Sequence, residues 1–429
     1  MTLICEGTQI CQLFRILKAD SAENSSKVDL LRKRIHQIKL NALLEVTKQI
    51  NNNASVESLF VTYKDIMSIE LNLGRIALFV HQNGWYCAVN HGLEEEVKNL
   101  NVAEQLIKFK EISEIKLVTS DGKSSFDLVI PVYHKSAPLA YLLIGDMDEQ
   151  KLEISPIIKH LPFIQTFTNI LVVAIENKKL AKEYMRQLSA NKELELASKM
   201  QSMLFPNVLP DTRYIQVGAY YQPHLQVGGD YYDYIKLNEN EYAFCVADVS
   251  GKGVSAALLM ANFQANLRAM FKINNTLSDI IYELNDIVFK NANGEKFITL
   301  FLAKYNVLTR VLNYVNAGHN PPLLFTNKTV LPLTTGCMGL GMFDNIPQIR
   351  EGLIHVSYNS ILFCYTDGLV EQLNNANEEF GIDNVMSVVD KNRNYDIKHL
   401  ISKIMLELDT FKQDVGYVDD IAILTTKFY

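Results

Sequence analysis

The sequence pairs no cysteines and concentrates no positive charge. Its six cysteines (Cys5, Cys11, Cys87, Cys245, Cys337 and Cys364) are scattered, with no CxxC pair and no histidines at zinc spacing, which argues against a disulfide framework or a zinc module. Most lie in apolar runs such as FCVAD and LFCYTD, where a buried free thiol in a reducing cytoplasm is the expectation. Forty-one Lys and Arg against 48 Asp and Glu give a net charge of −7; neither a basic cluster for nucleic-acid phosphates nor a tail of like charge is present. The best membrane candidate, ILVVAI at 170–175, is far short of the ~20 apolar residues a spanning helix needs. Glu6 interrupts what would have to be the apolar region of an export signal. These absences predict a soluble, cytoplasmic protein whose partners are proteins or small molecules, with no membrane and no nucleic acid.

The apolar share of 48% and charged share of 21% are those of a globular protein. At roughly 100 to 200 residues per domain, the length predicts two or three domains. After an extension over 1–27, VDLLRKRIHQIKLNALLEVTKQI and SVESLFVTYKDIMSIEL carry helical periodicity. RIALFVHQNGWYCAVN holds two β-rich runs around Asn83-Gly84, a hairpin signal. FDLVIPVYHKSAPLAYLLIGDM gives a second strand pair turning at HKSAP, and a helical stretch closes the unit. This order over 28–177, an α+β unit with an antiparallel sheet, resembles a GAF domain, with PAS as a close competitor; it predicts either a sensor or a dimerisation or spacer module without ligand. The stretch 178–206 reads as one amphipathic helix with apolar positions Leu180, Tyr184, Leu188, Leu194, Ala197 and Met200, ended by Pro206. Its heptads are imperfect near Asn191, and it is either a spacer or a helix that pairs with its copy in a homodimer.

From 207 to 429 the character changes. Strand pairs with turns such as NENE and NVLTR interleave with paired helices, predicting a single α+β domain of two antiparallel sheets flanked by helices. Here acidic residues stand where strands end: Asp230 in GGDYYD, Asp248 after YAFCVA, Asp367 after ILFCYT, and Asp419 and Asp420 before IAIL. A lone Asp at a strand end is ordinarily a turn former or cap. Several brought together would repel strongly unless cations neutralise them, and oxygen ligands without His or Cys suit Mg²⁺ or Mn²⁺. DVSGKG fails the spacing of a phosphate-binding Walker loop, and no GxSxG elbow is present. With no side-chain nucleophile in a recognisable setting, the attacking group would be water activated by two metals.

GGDYYD, ADVSGKGVSAALLMA, NAGHNPPLL, YTDGLVE and DDIAIL, in this order, closely resemble the PPM (PP2C-like) serine/threonine phosphatases of the bacterial SpoIIE/RsbU type over about 195–429. The resemblance implies that Asp248 bridges two Mn²⁺ or Mg²⁺ ions with the Val249 carbonyl assisting one, that Asp367 and Asp419 bind the first metal, and that Asp230 sits on the other side of the pair, directly or through water. Gly368 would let the Asp367 loop adopt its active position. Asp233 and Asp420 are open between metal contact and orienting roles, His319 is expected in the core, and Glu371 as a local structural acid. Departures are Val249 where eukaryotic relatives have glycine, Ala422 where Ser or Thr is usual, and no arginine before GGD to bind phosphate. The implied substrate is a phosphoserine or phosphothreonine on a STAS-domain anti-sigma-factor antagonist, with the first half of the chain regulating turnover in response to an unidentified ligand or partner. Two other classes stay open: a scaffold that has lost turnover, and another metal-dependent phosphoryl-transfer enzyme such as a cyclase or nuclease.

Overall fold

A computed structural model describes residues 33–92, 100–115, 126–145, 156–273 and 276–429; the 1–27 extension, Cys5 and Cys11 lie outside them. The chain divides into two compact units, Met1–Gln187 and Leu188–Tyr429. In the first, the elements are α1 (33–51), α2 (Val56–Asp65), continued by a π-helical turn at Ile66–Glu70, β1 (Arg75–His81), β2 (Trp85–His91), α3 (Val102–Gln105), β3 (Ser113–Glu114), β4 (Leu128–His134), β5 (Ala137–Gly145) and the larger part of α4 (Pro156–Ser202), whose last residues belong to the second. Ser55 caps α2 by accepting the Ser58 amide, which satisfies one of the orphan donors of the first turn.

The strands form one antiparallel sheet in the order β2-β1-β5-β4-β3. Both expected hairpins are present: Asn83 (φ 53°) and Gly84 (φ 143°) lie in the β1–β2 turn, and His134 pairs with Ala137 across the β4–β5 turn. Along β1, Ile76, Leu78 and Val80 pack beneath α1, α2 and α4 with Val46, Tyr63 and Phe167. Ala77 and Phe79 point to the opposite face with Val129, Tyr141 and Leu143. The strand is buried on both sides, as the period of two in side-chain direction requires for an unbroken apolar run.

Helix α4 is 47 residues long, about 70 Å at 1.5 Å per residue. The closing helix and the linker expected as separate pieces are therefore one element. It stops at Ser202, before Pro206, as the amides of Met203 and Leu204 bond back to Met200 and Gln201, the tightened last turn common at helix ends.

The second unit contains β6 (Ile215–Gln222), β7 (Tyr231–Lys236), β8 (Glu241–Val249), α5 (Val254–Phe271), α6 (Leu277–Ala292), β9 (Ile298–Asn306), β10 (Val311–Ala317), β11 (Leu323–Phe325), β12 (Val330–Pro332), β13 (Gly336–Cys337), β14 (Gly352–His355), β15 (Ser360–Tyr365), α7 (Asp367–Val370), α8 (Gly381–Asn392), α9 (Ile397–Lys412) and β16 (Ile421–Phe428). One sheet runs β13-β10-β9-β8-β7 with β14 on β10, the other β12-β11-β15-β16-β6. Pairing is antiparallel except between β10 and β13. Strand β16 shows how the layers stack: Ala422 and Leu424 enter the core shared with β8, β9, α5 and α6, whereas Ile421 and Ile423 pack with α8 and α9 through Val385, Leu400 and Ile404. The result is helix, sheet, sheet, helix. A reciprocal Thr276–Asp279 capping box starts α6, and Asp396 caps α9.

Candidate active site

Two neighbouring strands of one sheet and two of the other deliver the acids. Asp230 is the residue before β7 and Asp248 the penultimate residue of β8; β7 and β8 pair directly. Asp367 opens α7 two residues after β15 ends, and Asp419 and Asp420 precede β16, the partner of β15. Asp230 is 1% exposed. Its carboxyl is pushed well above the ordinary range by desolvation and by the Asp248 charge, with a hydrogen bond to Thr366 opposing the shift. Asp248 is pushed up to about 7, first by burial and then by Asp367. Asp367 is raised by burial and by Asp419. Carboxyls driven upward together by burial and mutual repulsion are what a cluster looks like without a compensating cation.

Two glycines permit the approach of these segments through their lack of a side chain. A Cβ on Gly368 would stand 2.1 Å from the Asp420 carbonyl oxygen, and one on Gly229 2.9 Å from the Val249 carbonyl oxygen. Gly368 is therefore required by close backbone contact between the Asp367 and Asp419 loops. The Val249 carbonyl faces the backbone just ahead of Asp230.

The neighbouring acids have other partners. Asp420 accepts the His224 amide through Oδ1 and the Gly229 amide through Oδ2, both at 2.7 Å, so it ties the segment before Asp230 to the segment before β16. Asp233 is fully buried in a bidentate pair with Arg268 of α5, two bonds of 2.8 Å, and also accepts the Tyr231 hydroxyl. This carboxylate is spent on holding α5 to β7. Buried His319 bonds the Thr299 hydroxyl through Nδ1 at 2.8 Å, and desolvation lowers it to about 4, leaving a neutral packed ring. Glu371 follows α7, raised by partial burial and by Asp367.

Four contributors escaped the sequence reading. The Thr366 hydroxyl accepts the Ala422 amide at 2.8 Å and reaches Asp230. Gln201, in the last turn of α4, grips Gly228 twice, donating to its carbonyl at 2.8 Å and accepting its amide at 3.1 Å. Lys252, between two glycines, pairs with Asp419 Oδ2 at 2.7 Å and donates to the Val418 carbonyl at 2.8 Å. Arg268 is the fourth. Lys252 in ADVSGKG and Thr366 in YTDGLVE lie in motifs already singled out; Gln201 and Arg268 are ordinary-looking positions whose importance depends on long-range contacts.

The donor set suits divalent cations. Asp230 Oδ2 is buried with no hydrogen-bond partner, an expensive condition that a cation would relieve. All candidate donors are oxygens, which favours hard ions. No three His, Cys, Asp or Glu side chains among the described residues stand as a closed coordination shell; Asp419 is turned to the Lys252 ammonium.

Two stacked sheets between helical layers, with acids gathered at the strand ends, define a PP2C-like domain. The solved SiaA-PP2C domain of Pseudomonas aeruginosa has this fold, with a TM-score of 0.51 at 18% identity, covering 57% of this chain and 99% of that one. Residues 238–429 match the family model of Stage II sporulation protein E (SpoIIE). The chain is 28% identical over 187 residues to phosphoserine phosphatase RsbU of Bacillus subtilis, covering 43% of this chain and 55% of that protein. It is 25% identical over 191 residues to phosphoserine phosphatase RsbP of the same organism, covering 43% and 47%. These matches span about half the length of the curated relatives. No helix among the described residues is long and apolar enough to cross a membrane.

Proposed function

We propose that the protein is a metal-dependent serine/threonine phosphatase acting on a phosphorylated regulatory protein. The observation that carries this reading is the acid centre itself: buried Asp230 and half-buried Asp248 and Asp367 stand together against the cost of their own repulsion, and Asp230 keeps an oxygen without a partner. Folding alone gives no return for that arrangement. The relatives named phosphoserine phosphatases point to the chemistry that would.

Asp230, Asp248, Asp367 and Asp419, with the Val249 carbonyl beside Asp248, would hold two Mn²⁺ or Mg²⁺ ions. The ions would supply Lewis acidity and an activated water for in-line displacement at phosphorus. The chain's own task is positional. Asp420 and Gln201 fix the backbone on which Asp230 rides, Thr366 orients the Asp230 carboxyl, and Gly368 lets the Asp367 and Asp419 loops meet. Neutral His319, bonded to Thr299, is not the imidazolium that a general acid would need at neutral pH, and keeps a packing role.

The substrate would be a phosphoserine or phosphothreonine on a small STAS-domain protein, in a partner-switching circuit like those implied by the RsbU and RsbP likeness. The first unit, whose antiparallel sheet lies beneath helices on one face, supports the GAF-like sensor or dimerisation reading. A homodimer through this unit and α4 would have twice the 48.7 kDa chain mass by light scattering; a monomer contradicts that part.

The test is calorimetric titration with Mn²⁺, followed by parallel incubation with a phosphoserine peptide, ATP and GTP. Two ions bound per chain and phosphate released from the peptide are expected. Cyclisation of the nucleotides would instead select the cyclase reading, and a protein that binds no Mn²⁺ is a scaffold.

A further inference from the structure

The acid centre contains one cation of its own. Lys252 sits between Gly251 (φ 85°) and Gly253 (φ 74°), and its ammonium lies 2.7 Å from Asp419 Oδ2, with 46% of the side chain exposed. The neighbouring cations are engaged elsewhere: Lys296 donates to the Ser250 carbonyl at 2.9 Å, and Arg268 is held by Asp233. The segment between Arg213 and GGD holds no arginine to receive a phosphoryl group. Lysine is a compact charge on a flexible stem, suited to exchanging one anion for another.

We propose that Lys252 is the phosphate-binding cation of this site, parked on Asp419 until a divalent ion claims that carboxylate. The inference rests on the metal-centre reading above. Asp419 Oδ1 accepts the Asp420 amide at 2.8 Å, which leaves Oδ2 as the oxygen that a divalent cation would share with the ammonium, and metal entry would weaken or break the ion pair. The freed ammonium remains tethered by the 251–253 turn at the rim of the acids, half in water. A phosphoryl dianion arriving at that rim needs positive charge beyond the ions, because the four acids Asp230, Asp248, Asp367 and Asp419 would offset the charge of two divalent ions. Lys252 would thus weaken metal binding and strengthen phosphate binding, two effects of opposite sign from one side chain.

The experiment uses the full-length chain and two probes, Mn²⁺ and inorganic phosphate, followed by calorimetry in wild type, Lys252→Gln and Lys252→Arg. Lys252→Gln is expected to bind Mn²⁺ roughly fivefold tighter, because an opposing cation is gone. Its Mn²⁺-loaded form should bind phosphate roughly tenfold more weakly, the loss of one charge-assisted contact. Lys252→Arg should restore phosphate binding and serves as the informative variant if the glutamine protein fails to fold. Unchanged or weaker Mn²⁺ binding in Lys252→Gln, or unchanged phosphate binding, overturns the assignment while leaving the metal centre standing. Wild type that binds no Mn²⁺ overturns both.

Discussion

Asp230 and Asp233 stand three residues apart and meet different ends. Asp230 is buried among like charges with one oxygen unpartnered, whereas Asp233 is neutralised by Arg268 and capped by Tyr231. The sequence presents them alike, as acids in GGDYYD, because Arg268 lies 35 positions away on a helix face. Their consequences on mutation should separate. Arg268→Ala leaves a buried carboxylate uncompensated, and should cost about 3 kcal/mol in urea denaturation, the low end for breaking a buried pair since the guanidinium is 41% exposed. Mn²⁺ affinity should stay within about twofold of wild type, since ligand geometry is untouched; a large loss would place Asp233 in the metal centre.

Protonation gives a second residue-scale consequence. Asp248 titrates near 7 in the folded, metal-free chain against about 3.9 when unfolded. The folded state therefore holds the extra proton between those values. The contribution of Asp248 is fully present below about pH 4 and is lost as pH rises through about 7. In EDTA, the stability difference between wild type and Asp248→Asn should shift against wild type from pH 4 to pH 7.5. With Mn²⁺ the trend should reverse, because metal binds the ionised carboxylate. Thermal melts of both proteins across this range decide it, and a metal-free difference that moves in favour of wild type would contradict the burial argument.

At the scale of elements, long periodic segments were legible and short ones were not. VSAALLMANFQANLRAMF corresponds to α5 from Val254 to Phe271, and Asn83-Gly84 marks a real hairpin, because their local chemistry agrees with the fold. Strands β12, β13 and β14 have three, two and four residues, too few for an alternation to register. The unity of α4 was also hidden: a change from apolar to charged composition near residue 176 resembles a boundary, yet backbone bonding continues through it. The end of α4 touches the site through Gln201, which no periodicity argument distinguishes from its neighbours. Gln201→Leu strands a Gly228 amide and carbonyl in a buried place, a penalty of about 1–3 kcal/mol on the loop that carries Asp230. Mn²⁺ affinity should fall roughly tenfold, as for loss of a group that supports a ligand; calorimetry showing unchanged affinity would uncouple α4 from the metal loop.

For the whole molecule, the layered C-terminal unit was readable from strand pairs alternating with helix pairs, and the gathering of acids from their common position at strand ends. Which strands adjoin was not: β6 sits beside β16, about 200 residues later in the chain, and nothing local encodes that pairing. The role of the first unit is a matter of comparing chains. If it regulates turnover, full-length protein and residues 195–429 should differ in kcat/KM on the same phosphopeptide by more than about threefold, in whichever direction the resting state lies, since a regulatory coupling is typically 1–3 kcal/mol. Equal values would make the first unit a passenger in catalysis.

Hydrolysis of a phosphoester would depend on ions held by the aspartates. Phosphate release from a phosphoserine peptide, measured against Mn²⁺ concentration in wild type and Asp248→Asn, addresses it most directly. Saturable, Mn²⁺-dependent release by wild type, with at least about a 100-fold loss in the variant, more than a supporting residue would cause, is the expected result. Release that ignores Mn²⁺, or survives Asp248→Asn, would contradict it.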